Sequence, residues 1–279
     1  MTRRERAKER VSDATSTASE RMSEAKTAAG ERMSEARATA AERVTDARTA
    51  ASERVADAKN AAEELIEKSK PKLRGVTHEW AFFISLVAGA ALIIAAPSGH
   101  ARIAMAIYAF SLSGLLGTSA LYHRVNWRRP EIRRWMRRLD HSMIFLLIAG
   151  TVTPFALLVM SGSLADALLI AVWAGALAGI IVELIWVDAP KWISTIVYLA
   201  VGWIGLLGFP AIVVAAGMGA GALIAVGGVL YTAGAIVYAR QRPDPNPAVF
   251  GYHEIFHALV VAAAAAHFAV VAFYALPNS

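Results

Sequence analysis

The sequence predicts an all-α protein: a seven-transmembrane helix bundle preceded by a long cytosolic amphipathic helix. Three observations predict it. The 279-residue chain is 56% hydrophobic with a mean hydropathy of +0.45, too apolar for an ordinary soluble domain of this size. Charge is confined to one end: residues 1–75 hold 17 Lys/Arg and 14 Asp/Glu, and the other 204 residues hold 11 and 8. Seven long, nearly uncharged runs fill the rest. The expected division is a charged helical repeat extension over 1–70 and a membrane domain over 71–279.

In the extension, Glu9, Glu20, Glu31, Glu42, Glu53 and Glu64 recur every eleven residues, each of the first five followed by Arg and then Val or Met. Val11, Met22, Met33, Val44, Val55 and Ile66 therefore recur once per unit. With alanines such as Ala14 and Ala18, Ala25 and Ala29, Ala36 and Ala40, or Ala47 and Ala51, they form an apolar stripe. Eleven residues in three turns is ~3.67 per turn, which favours a straight or slightly right-handed helix. Arg32/Glu35, Arg43/Asp46 and Arg54/Asp57 are three apart and support that helix. The stripe is mostly alanine, and a lone helix of this kind is marginal in water. Self-association or membrane-surface contact through residues 1–70 is one expectation. A solvated extension without chemistry, ending at Pro71, is the plainer one.

The seven runs cover 80–96, 103–122, 142–163, 167–187, 192–216, 222–239 and 255–276. Each is about long enough to cross a ~30 Å hydrocarbon layer at 1.5 Å per residue. Helices are expected because lipid leaves open backbone groups unsatisfied. Gly217 to Gly221 divides the uncharged stretch 192–239 into two spans. Seven arginines lie between Arg124 and Arg138, and Lys191, Arg240 and Arg242 follow the fourth and sixth runs, whereas the alternate loops carry only Arg102. The positive-inside rule then predicts an integral multi-pass protein of the plasma membrane, amino terminus cytosolic and carboxyl terminus outside. The same rule accounts for the net charge of +6 without a nucleic-acid partner. The charged first ten residues have no apolar run behind them, so the first span is expected to act as its own insertion signal.

Polar residues at the ends of these runs converge. Ser119 and His123 share one face at the cytosolic end of run 2, Asp140 and His141 open run 3, and His253 and His257 open run 7 four residues apart. Ionisable groups at such positions are costly and mark functional sites. With no cysteine in the chain, disulfides, thiolate zinc sites and iron–sulfur clusters are excluded. Two histidines at i and i+4, a third from another helix and an open fourth position form a catalytic zinc pattern. Individually each of these histidines reads better as an ordinary headgroup-level residue; as a set they read as a Zn2+ site.

Ser119-Ala-Leu-Tyr-His123, Asp140 opening the next span, and His253-Glu-Ile-Phe-His257 opening the last resemble the haemolysin III branch of the progestin and adipoQ receptor superfamily. The stretch from His253 to His267-Phe268 is similar to the last span of the adiponectin receptors. The resemblance covers about residues 71–275. It implies zinc ligands at His123, His253 and His257, with Asp140 and Ser119 holding or activating the water at the metal. Relatives often show Glu-x-x-Asn-x-x-Thr-His before the first span; here Thr77-His78 remains, and Pro71 and Arg74 stand in the other two positions.

Other polar residues carry weaker expectations. His78, at the cytosolic start of run 1, is within reach of the site but reads rather as interfacial or structural. His267, three turns beyond His257, is ~15 Å away along the axis and too far to share a metal. Glu183 reads equally as cavity-lining or as snorkelling outward, Glu254 points to a face other than that of the two histidines, and Gly175-x-x-x-Gly179 reads as a packing motif. The expected function is a zinc-dependent hydrolase of a lipid amide, ceramidase-like, with Asp140 as general base and a membrane lipid as substrate or ligand. The alternative is a non-enzymatic membrane protein, a haemolysin-type pore former, sensor or receptor-like, in which the zinc is structural.

Overall fold

The computed structural model describes residues 71–278 throughout and, in the amino-terminal segment, 32–35 and 37–59 with Met22, Lys26, Gly30 and Ala61. Repeat members Glu9, Val11, Ala14, Ala18, Glu20, Ala25, Ala29, Glu31, Ala36, Glu64 and Ile66 lie outside the described residues. The chain divides into two units, Met1–Ile66 and Glu67–Ser279. In the first, the described residues are helical and exposed.

Among the described residues of the second unit, seven helices are long and apolar enough to cross a membrane: α1 (Val76–Ala95), α2 (Gly99–Arg124), α3 (Pro130–Val159), α4 (Ser163–Ile185), α5 (Lys191–Ala216), α6 (Met218–Arg240) and α7 (Tyr252–Asn278). No strand is present among them. Consecutive helices α1 to α4 pack as neighbours, α6 packs along α7, and α1 touches α7 to close the ring. The core lies around α2, where Met105 and Tyr108 are fully buried; Phe145 of α3 is equally buried.

The expected runs and observed helices agree in number and order and differ at their ends. The largest difference is α3, expected from 142 and beginning at Pro130. Arg133, Arg134, Arg137 and Arg138 are therefore wound into helix rather than loop. Proline at the first helical position costs no hydrogen bond, and a helix can continue past the hydrocarbon wherever water or headgroups receive its charges. Arg137 is fastened there by the carboxylate of Asp188 and by the Val187 carbonyl at 2.9 Å.

Breaks inside helices have local causes. Pro154 lacks an N–H, and α3 passes into a π-turn over Phe155–Val159. Gly217, at φ +88°, separates α5 from α6, as the glycine-rich segment predicts. The Gly175/Gly179 face is a packing surface: a Cβ at Gly179 would lie 2.3 Å from the Phe145 ring, and one at Gly175 would meet Val201 at 3.3 Å.

Candidate metal centre

The two candidate ligands of α7 begin with the way that helix starts. Glu254 reaches back and accepts the Gly251 N–H at 2.8 Å, the one half of a capping box that a glycine N-cap allows. Its second oxygen accepts from Arg74 Nε. The segment before α1 is also clipped to the loop before α7 by Lys72 N–H to Ala248 O (3.1 Å) and Leu73 N–H to Val249 O (3.2 Å). Glu254 is 2% exposed and, from its position in the helix, points to a different face from the two histidines. Arg74, which departs from the family pattern, thus has a defined partner. The first turn of α7 is held from two sides, and His253 and His257 project from it.

His123, His253 and His257 place one ligand nitrogen each within 4.8 Å of one another. His123 and His253 approach Nε2 to Nε2 at 3.3 Å. Two nitrogens 2.0–2.1 Å from a tetrahedral zinc stand ~3.3–3.4 Å apart, so this separation is the edge that such a site requires. His257 Nδ1 is buried without a hydrogen-bond partner, an expensive state for a polar atom. The donor set, its burial and its spacing fit a divalent cation: this buried cluster can hold a metal ion.

Asp140 Oδ2 lies 3.8 Å from His123 Nε2, outside the three-nitrogen group. Ser119, one turn before His123 on α2 and 3% exposed, lines the same end of the cavity as Asp140. All five predicted residues therefore meet in one place, the carboxylate and hydroxyl beside the imidazoles. Gly75 is part of the reason. Its φ of +78° turns the chain into α1, and a Cβ there would lie 2.7 Å from the His123 Cβ.

Two readings left open by the sequence are decided by the packing. His78 is not interfacial: it is 2% exposed, and its ring stacks on His257 with centroids 3.9 Å apart and planes 6° from parallel. The first turn of α1 faces inward because α1 closes the ring against α7. Glu183 does not snorkel. It is 2% exposed, accepts from His141 Nδ1 at 3.3 Å and from Tyr198 OH at 2.8 Å, and joins α3, α4 and α5. A carboxylate offered two donors within reach gains more inside than by stretching to the headgroups. His141, beside Asp140, belongs to that second polar cluster and not to the metal group. Sequence reasoning missed the cluster because nothing in the text of α5 distinguishes Tyr198. His267 behaves as expected, donating from Nε2 to the Ile224 carbonyl at 3.3 Å, over Gly227.

A cavity of about 450 Å³ runs from this centre into the bundle. His78, Ser119, Asp140, His253 and His257 line one end, and Phe155, Leu168 and Ile212 line the other. Asp140 and Phe155 are fifteen positions apart on α3, or ~22 Å at 1.5 Å per residue.

The chain matches the family described as haemolysin-III related over residues 66–268. It is 34% identical to hemolysin-3 of Bacillus cereus over 208 residues, covering 73% of this chain and 91% of that protein. A hemolysin-3 homolog of Bacillus subtilis is 33% identical over 202 residues, 71% of this chain and 91% of that protein. The human monocyte to macrophage differentiation factor is 26% identical over 197 residues, 69% and 79% of the two chains. These alignments cover about seven-tenths of the chain, and the family match begins at residue 66.

Proposed function

The chain belongs to the haemolysin III branch of the progestin and adipoQ receptor superfamily, and from that premise we propose that it is a zinc-dependent hydrolase of a lipid amide. The observation that carries the reading is the pairing of three converging imidazoles with a carboxylate–hydroxyl couple at the end of a long apolar cavity. His123, His253 and His257 would hold the metal. When bound, zinc supplies a Lewis acid for the substrate carbonyl and makes water acidic near neutral pH.

The chain's own residues divide the remaining work. Asp140, close to the ligands but outside their set, is placed to accept the proton of the attacking water and to return it to the departing amine. Ser119, which lines the cavity with Asp140, would orient the attacking water or the oxyanion. The cavity takes an acyl chain: its ~22 Å length exceeds the ~15 Å of one leaflet's hydrocarbon, and apolar side chains dominate its wall. A ceramide-like amide satisfies both ends. The charge pattern of the loops supports a site on the cytosolic side of the plasma membrane, with the amino terminus cytosolic and the carboxyl terminus outside.

The test is purified, zinc-loaded protein incubated with acyl-amide lipids, read as fatty acid released. His257→Ala is expected to lower the metal retained on purification by more than about tenfold. Asp140→Asn is expected to keep the metal and lose about 10²–10⁴-fold in turnover. The absence of turnover in wild type and Asp140→Asn alike would overturn the enzymatic reading.

A second reading is favoured by the names of two relatives, both hemolysins, and by a cluster that joins α2 to α7. In it the metal is structural and the activity is cytolysis or sensing. It predicts that chelation lowers the melting temperature with no turnover to lose, and that a fourth protein ligand completes the coordination.

A further inference from the structure

We infer that the amino-terminal repeat helix is a docking surface for anionic lipid. Across the described helical residues, the stripe members Met22, Met33, Val44 and Val55 are between 53% and 69% exposed. The identity of what covers them follows from where the charges fall around the stripe. At ~3.67 residues per turn, the Val/Met position and the two alanines that follow it by three and seven residues span about 65° of the helix surface. Arg32, Arg43 and Arg54 flank this stripe about 65° to one side of its centre, and Arg37, Arg48 and Lys59 flank it about 65° to the other. The acids Glu42, Asp46, Glu53 and Asp57 lie about 130–165° away, on the opposite face.

This distribution selects between occupants. Two copies packing stripe on stripe, parallel or antiparallel, would bring basic flank against basic flank, since both flanks carry the same sign. Helix pairs of this kind are specified by opposite charges at those positions, and like charges there oppose association. An anionic lipid surface meets the same helix without conflict. The thin stripe enters the headgroup boundary, the basic side chains lay their methylenes along it and extend their charges to phosphates, and the acids face water. An alanine-rich stripe binds weakly by itself. The last stripe residue, Ile66, precedes the first span at Val76 by only ten residues, so a bilayer is always within reach and the local concentration of lipid is high. The inference does not depend on the hydrolase reading.

The chain has no cysteine, so a single introduced thiol can be labelled alone. Full-length Val44→Cys and Thr49→Cys, carrying an environment-sensitive fluorophore, would be reconstituted at one chain per nanodisc in phosphatidylcholine with or without phosphatidylglycerol. Position 49 lies on the face opposite the stripe. The expected result is a blue shift and acyl-chain quenching of the label at position 44 only in the anionic discs, reversed by salt, with position 49 aqueous throughout. Replacing Arg37, Arg43 and Arg48 by Gln is expected to weaken the shift. A label at 44 that stays aqueous in anionic discs, or is equally buried without phosphatidylglycerol, overturns the inference. So does burial that develops only when two chains share a disc, which would identify a second copy as the occupant.

Discussion

Glu183 illustrates how much a single side chain in this bundle depends on residues distant in sequence. Its oxygens are claimed by His141 of α3 and Tyr198 of α5, so one carboxylate ties three helices. Glu183→Ala leaves two partly buried donors without this acceptor and is expected to lower stability by about 1–2 kcal/mol, the range for polar contacts between membrane helices. Unfolding in detergent would measure it, and a change indistinguishable from zero would show that the pair is idle. The metal content is expected to be unchanged, because the three imidazoles belong to α2 and α7. His78 makes the complementary point: it contributes a stacked ring against His257, and its position in the text, one residue after Thr77 at the edge of an apolar run, reveals nothing of that contact.

At the level of elements, the helices are held at distances set by their smallest residues. Gly179 admits the Phe145 ring between α4 and α3, where a Cβ would lie at 2.3 Å; the Cβ of an alanine at Gly175 would meet Val201 at 3.3 Å, a contact that small side-chain movement relieves. Gly179→Ala is therefore expected to cost about 1–3 kcal/mol by overpacking, and Gly175→Ala much less. Thermal unfolding of the two variants side by side checks the order; equal losses would mean that the interface tolerates volume as α4 shifts. The elements themselves were legible in advance. Seven runs of adequate length and apolarity correspond to seven helices, and Gly217 ends α5 where the glycine cluster predicts. The ends were less legible. Hydropathy reports where hydrocarbon begins, whereas α3 starts at Pro130 because hydrogen bonding and a preset proline φ carry the helix on into the charged segment.

For the whole molecule, the charge asymmetry of the loops makes a prediction that helix packing does not. A reporter that fluoresces only in the cytosol, fused after Ser279, is expected to stay dark, and the same reporter before Met1 to fluoresce. The opposite pattern would invert the bundle and move the metal cluster to the outer face. Much of the candidate site was readable without coordinates, because helical periodicity places Ser119 with His123 and His253 with His257, and the span count brings both pairs and Asp140 to the same depth. Apolar length, charge placement and helical period are local quantities, and they determined the number of spans, the repeat and which polar residues share a helix face. Only the packed bundle decided the rest: the 3.3 Å approach of His123 to His253, the stacking of His78, the pairing of Glu183 with Tyr198 and the cavity beneath them. Each of these depends on how helices far apart in the chain turn toward one another. That rotation is set by the summed fit of many side chains, which no single stretch of sequence contains.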